Sequence, residues 1–312
     1  MTLAVFLELV EIRTKLASLF PFLIGVLYAG YYFNAFNPIN TVLFFIAMLV
    51  FDMATTAINN TMDYVKAKNL VYRDEENIIG KEGLAVKKVT LLIVGMISFA
   101  AIIGLVLTYR TSLLLLVIGA VCFAVGILYT FGPFPISRMP LGEVLSGLTM
   151  GFGIFFIAVL INVPDGVLAT VKISWPQFVV EGNMIAILAV FLSSLPLVFT
   201  IANIMLANNV CDFETDISNH RYTLAYYIGK ETAVKLYGLL YYGVYATVVL
   251  AVLLQVTTPW MLGVFVTFPL VQKNIRTFSA KQVKSETFAL ALVNMVAIHV
   301  VQISMLLFAI IF

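Results

Sequence analysis

MIAILAVFLSSLPLVFTIANIMLANNVCD, residues 184–212, is the stretch on which the architecture turns. From Met184 to Ala207 it carries no charged side chain, and as a helix it is long enough to cross a hydrocarbon core of about 30 Å. It then closes on Asn208, Asn209 and Asp212. Working outward, a second apolar run closes the same way, on Asn59, Asn60 and Asp63, so both end in Asn-Asn-x-x-Asp. Further runs recur along the chain, and nine spans are predicted, at about 14–32, 41–62, 89–108, 112–131, 141–163, 184–207, 236–256, 260–272 and 287–312. None alternates polar with apolar as a membrane barrel strand does, so the expected class is all-α: a polytopic bundle of about nine transmembrane helices.

Composition agrees. Of 312 residues 62% are hydrophobic and 11% charged, too little charge to cover a water-soluble domain of this size. Only Arg110 and Lys172 of the 18 Lys and Arg fall on the side away from the N-terminus. By the positive-inside rule the N-terminus is expected in the cytoplasm and the protein in the cell (cytoplasmic) membrane. Glu8, Glu11, Arg13 and Lys15 precede the first run, which reads as an uncleaved helix. The long polar loops, residues 63–88 and 208–235, share the cytoplasmic side. Residues 163–183 join two spans outside, with Trp175 and Trp260 at predicted outer boundaries. No stretch forms a separate soluble domain, so residues 1–312 are read as one transmembrane unit in the lipid bilayer. A net charge of +2 without a basic soluble domain excludes nucleic acid as a partner. Cys122 and Cys211 have neither the spacing of a zinc site nor that of a disulfide framework.

Residues four apart share a helical face, so Asn59 points with Asp63, and Asn208 with Asp212 and Asp216. Such groups at one helix end are what capping requires. Two copies on the same side, with Lys66, Lys68 and Arg73 after the first and Arg221 and Lys230 after the second, instead suggest a shared site. Hard carboxylate and amide oxygens suit Mg²⁺, which takes one or two carboxylates and fills its remaining positions with water and substrate phosphate. A metal-bound diphosphate is the group this pattern serves.

NNVCDFETDISNHRYTLAYYIGK, residues 208–230, resembles the second aspartate-rich motif of the UbiA superfamily of intramembrane prenyltransferases. NNTMDYVKAKN, residues 59–69, is similar to the first, NDxxDxxxD, but has Asn60 and Ala67 at two acidic positions. Asp74, Glu75 or Glu76 are candidate replacements. Residues 11–25, EIRTKLASLFPFLIG, and 129–147, YTFGPFPISRMPLGEVLSG, resemble further family segments. They are closest to the branch that prenylates 1,4-dihydroxy-2-naphthoate on the way to menaquinone.

The resemblance implies a bundle of helices and Mg²⁺-dependent transfer of a polyprenyl group from polyprenyl diphosphate to that aromatic acceptor, with loss of its carboxylate, giving demethylmenaquinone. It implies Asp63, Asp212 and Asp216 as catalytic metal ligands assisted by Asn59 and Asn208. Lys66, Arg73 and Arg221 would bind diphosphate, and Lys15, Tyr129 and Arg138 the acceptor. Asp63→Asn is expected to be severe, and restoring Asp at position 60 tolerated. Outside these sets, Glu143 is read as a helix cap, Asp52 as an unassigned intramembrane carboxylate, His220 as a solvated loop residue and His299 as hydrogen-bonded in the core. The rival readings are a prenyltransferase of the same superfamily with another aromatic acceptor, serving a separate quinone pool, and a secondary transporter.

Overall fold

A computed structural model describes residues 1–67, 70–132 and 135–312. Lys68, counted above among the cations of the first motif, lies outside them. The long helices are α1 (Leu16–Phe33), α2 (Pro38–Lys66), α3 (Val86–Arg110), α4 (Leu113–Leu128), α5 (Gly142–Leu160), α6 (Met184–Cys211), α7 (Lys230–Leu253), α8 (Phe268–Ala280) and α9 (Ala289–Ile311). Seven among the described residues are long and apolar enough to cross a membrane; α4 and α8 are not. Eight of the nine expected spans fall on apolar helices, whereas the eighth, expected at 260–272, is a 3-10 stretch running into the more polar helix α8, and a count of nine crossings is not supported. With 16 residues, α4 reaches only about 24 Å at 1.5 Å per residue. Ahead of α8 runs a 3-10 stretch, Pro259–Thr267, opened by Thr258, whose hydroxyl accepts the Trp260 N–H. Pro259 and Pro269 punctuate this region, each suiting the first turn of a helix and neither its interior.

Local chemistry accounts for the helix entries. Asn37 caps α2 through the Asn40 N–H, with Pro38 in the first turn. Asn183 caps α6 through the Ala186 N–H, each side-chain oxygen taking a donor the helix cannot satisfy. Arg110 at the end of α3 donates to the Asn40 side chain at 2.8 Å, which puts the end of α3 and the start of α2 on the same side of the bundle.

Packing groups α2, α3 and α4 on one flank and α6, α7 and α9 on the other, with α1 and α5 between them. Without a hydrophobic drive between helices in lipid, close contact needs small residues. Gly147 and Gly151 of α5 supply it: a Cβ on either would fall 2.7–2.8 Å from backbone atoms of Val198 in α6. The main core gathers Phe20, Phe155, Leu197, Tyr237 and Met295 from five of these helices. His299 is buried and bonded to Thr200 and Gln302, the core role expected of it.

One element departs from an all-helical reading. Within residues 163–183 the chain forms an antiparallel hairpin of β1 (Ala169–Ser174) and β2 (Gln177–Gly182). Val171 and Ile173 alternate with Thr170, Lys172 and Ser174, a period of two rich in β-branched residues, which favours a strand over a helical turn.

Candidate active site

Both Asn/Asp ends meet at one end of the bundle. Asn208 and Asn209 occupy the last turn of α6, and Asp212 follows at its cap, its N–H bonded to the Asn208 carbonyl. A short helix, Phe213–Ser218, then carries Asp216, whose N–H bonds the Asp212 carbonyl at 2.7 Å. The backbone bonding of 208, 212 and 216 at a spacing of four thus continues across a helix break. Asp63 lies in the last turn of α2. The charges of Arg138, Arg221 and Lys284 act on Asp63 and also on Asp216, and Lys66 acts on Asp63. Two carboxylates from opposite flanks therefore share three cations.

Asp216 is only 4% exposed. Its Oδ1 faces Arg221 Nε at 3.4 Å, while its Oδ2 is buried with no hydrogen-bond partner among the described residues. Burial pushes its carboxyl up to about 6; the Arg221 guanidinium opposes this and the Asp212 charge adds to it. Asp212 is ion-paired with Lys284, from the loop between α8 and α9. In the sequence the one signal for Lys284 is membership of a third loop on the motif side.

The remaining expected residues divide. Asn59 accepts a hydrogen bond from Thr130. Arg73 turns to its neighbour Asp74, Nε to Oδ1 at 2.8 Å, and lies over the Tyr64 ring. Asp74 is thereby engaged, and Glu75 and Glu76 are exposed. Arg138, expected at the acceptor end, has its charge acting on Asp63 and Asp216 together with those of Arg221 and Lys284. Lys15 is 6% exposed, its ammonium held by Asp52 Oδ1 at 2.9 Å and Thr56 Oγ1 at 2.5 Å; Ser18 donates to the other Asp52 oxygen at 2.6 Å. The unassigned Asp52 is thus the partner of Lys15. Tyr129 keeps a buried hydroxyl with no partner among the described residues. Glu143, expected to cap a helix, stands in the first turn of α5 and also accepts from Asn209 Nδ2 at 2.7 Å, tying α5 to the second motif. His220 is exposed, as expected of a solvated residue.

Asn60, the departure in the first motif, is engaged by the N-terminal segment. Its Nδ2 donates to the Leu9 carbonyl at 2.9 Å and to Glu11 Oε1 at 3.3 Å. An Asp there has no donor to offer and sets a second carboxylate against Glu11. The expectation that Asp is tolerated at this position is therefore reversed: Asn60→Asp should lower stability by about 1–3 kcal/mol without raising activity. Thermal unfolding in detergent checks this, and an unchanged Tm would overturn it.

Beside this polar end opens a cavity of about 600 Å³. Lys15, Asp52, Thr56, Asn59 and Tyr129 line its polar end, and Phe44, Met48, Leu107 and Leu115 its apolar depth. From Asn59 back to Phe44 the wall of α2 alone runs about 22 Å at 1.5 Å per residue.

A metal suits this donor set. Among the described residues no three acidic, imidazole or thiol groups cluster as a self-sufficient cage. An unpartnered buried oxygen on Asp216, with Asp212 one turn before it and Asp63 across, instead fits an ion such as Mg²⁺ that completes its shell with water and phosphate.

Comparison with known proteins gives the same picture. Residues 18–296 match the UbiA prenyltransferase family. The chain is 30% identical over 269 residues to the 1,4-dihydroxy-2-naphthoate octaprenyltransferase of Bacillus subtilis (strain 168), covering 84% of this chain and 78% of that one. A Mycobacterium leprae (strain TN) protein of the same name is 30% identical over 187 residues, 60% of this chain and 55% of the other. In fold it is similar to a UbiA homolog from Archaeoglobus fulgidus, solved bound to GPP and Mg²⁺, with a TM-score of 0.67 at 15% identity over 99% of this chain and 100% of that one. The transporter reading falls away, and this multi-pass membrane protein belongs to the UbiA prenyltransferase family, whose activity is prenyl transfer.

Proposed function

We propose that the chain transfers a polyprenyl group from polyprenyl diphosphate to 1,4-dihydroxy-2-naphthoate, with decarboxylation, to form the quinol of a demethylmenaquinone-type lipid, whose oxidation to the quinone is a separate reaction. The observation that supports this is that the charges of Arg138, Arg221 and Lys284 act on both Asp63 and Asp216, beside a long apolar cavity. The acceptor rests on the name of the Bacillus relative. The motif end is assigned to the cytoplasmic face of the cell membrane, on the placement of Lys and Arg, and residues 1–312 act as one unit.

Asp63, Asp212 and Asp216 would hold Mg²⁺, with Asn59 and Asn208 beside them; bound there, the ion neutralises diphosphate charge. Arg138, Arg221 and Lys66 add fixed positive charge where the leaving group gathers it. The donor's C1–O bond breaks with its electron pair going to diphosphate, and the ring carbon's π electrons form the new bond to C1. The ring-to-carboxylate bond then breaks, carbon dioxide leaves, and that electron pair restores aromaticity. The cavity keeps water from the allylic cation while the ring approaches it. Tyr129, whose hydroxyl has no partner among the described residues, would orient the acceptor.

The test is incubation of purified protein with Mg²⁺, a long-chain polyprenyl diphosphate and either 1,4-dihydroxy-2-naphthoate or 4-hydroxybenzoate, with products resolved by mass. A prenylated, decarboxylated naphthoquinol is expected. Product from 4-hydroxybenzoate alone would sink the acceptor assignment.

Acidity offers a separate check. A carboxyl raised to about 6 is protonated below that pH, and a metal must displace its proton. Apparent Mg²⁺ affinity should therefore be flat above pH 7 and fall about tenfold per unit below pH 6. Titration calorimetry from pH 5 to 8 reads this directly, and a pH-independent affinity would remove Asp216 from the ligand set.

A further inference from the structure

The hairpin at the end of the bundle away from Asp63 and Asp216 has no part in that chemistry, and its surface is unusual. Register pairs Val171 with Val180 and Ile173 with Phe178, and directly paired residues lie on the same face of a sheet. One face is therefore Val171, Ile173, Phe178 and Val180. The other holds Thr170 and Glu181, Lys172 and Val179, Ser174 and Gln177, with Lys172 and Glu181 ion-paired at 3.5 Å. The apolar face is uncovered: Ile173 is 65% exposed, Phe178 74% and Val180 61%. Trp175, at the turn, is 94% exposed.

The base of the hairpin is fixed. Leu168 and Thr170 are buried, β1 packs on α4, and the Asn183 N–H bonds the Leu168 carbonyl at 2.8 Å just before α6 begins. From Thr170 to Trp175 the ribbon projects about 17 Å at 3.3 Å per residue. A contiguous apolar surface of this kind marks a contact. Its occupant is indicated by what adjoins it: Met184, Ile185 and Leu188 on the first turns of α6 are all exposed. They belong to a membrane-spanning helix and so face lipid. The apolar face of the hairpin immediately precedes them in the chain, Trp175 brings the ring favoured at the membrane–water boundary, and the charged pair occupies the opposite face.

We infer that β1–β2 is a lipid-binding blade, laid with Val171, Ile173, Phe178 and Val180 against the headgroup and upper acyl region of the leaflet opposite the motif loops. It is the strand counterpart of an interfacial amphipathic helix. This rests on the membrane fold alone and stands whatever the acceptor is.

The chain has two tryptophans, so Trp260→Phe leaves Trp175 as the sole indole reporter. In nanodiscs, where both faces meet solvent, shallow-labelled spin-label lipids should quench Trp175 at least about twofold more than deep-labelled ones, as expected for a ring at the interface. Iodide should reach it poorly. Adding Phe178→Asp and Val180→Asp should abolish lipid quenching and open Trp175 to iodide, while prenyl transfer and Tm stay within the range of the Trp260→Phe parent. Free quenching by iodide with none by either lipid would overturn the inference and leave the blade in water. Shielding from both, with crosslinking between copies through a cysteine placed at Ile173, would overturn it in favour of a second copy of the chain.

Discussion

Asp216→Asn is expected to reduce turnover by about 10³-fold or more, the scale on which electrostatic groups at a reacting charge act, without lowering Tm. The two readouts separate because of where the carboxylate sits. It is buried, with one oxygen at Arg221 and the other unpartnered among the described residues. Its carboxyl is pushed up to about 6, above its usual value. The sign follows: a raised acid is disfavoured as an anion, so above pH 6 the fold bears a charge that works against it. Replacing it by a neutral isostere relieves that penalty, and the Tm at pH 7.5 should hold or rise. Activity depends on the anion and disappears with it. Asp212→Asn should act in the same direction, releasing Lys284. Near-normal turnover in both variants would place the metal elsewhere.

The second large effect concerns Lys15. With side-chain exposures of 7% and 14%, the Lys15–Asp52 pair joins the start of α1 to the middle of α2. Lys15→Met strands the carboxylate and should cost about 3–5 kcal/mol. Lys15→Met with Asp52→Asn removes both charges and leaves an amide that still accepts from Ser18, so most of the lost Tm should return. The pair of variants also decides what Lys15 does. As a strut, it leaves the acceptor KM of the stable double variant within about twofold of the parent, since buried pairs are often replaceable by neutral ones. A KM that stays raised in a well-folded double variant would assign Lys15 to the acceptor carboxylate after all. Detergent unfolding and acceptor titration give both quantities.

How far the sequence reached can be traced through these residues. The spans were legible because apolar runs without alternation have one solution in lipid. The hairpin was not, being short, and its period of two passed for a connector. That Asn59, Asp63, Asn208, Asp212 and Asp216 lie at one end of the bundle was legible because both motifs close helices on the same side. Which cations serve them was not, because spacing says nothing across loops: Lys284 is brought to Asp212 from more than 70 positions away. Asn60 misled for a related reason. As a change to a motif it looked like a lost ligand, whereas its contacts with Leu9 and Glu11 make it a tie to the N-terminal segment.

The long apolar cavity has an energetic meaning that differs from that of a pocket in water. A donor arrives with its tail already dissolved in hydrocarbon, so moving that tail from bilayer to cavity removes little surface from water and adds little affinity. Lengthening the tail should leave membrane-referenced affinity nearly constant, and donor and product tails should partition into the cavity alike. Retention then belongs to the diphosphate. Once that group is cleaved, little but shape would hold the prenylated product, and release would become ordinary lateral diffusion into the leaflet.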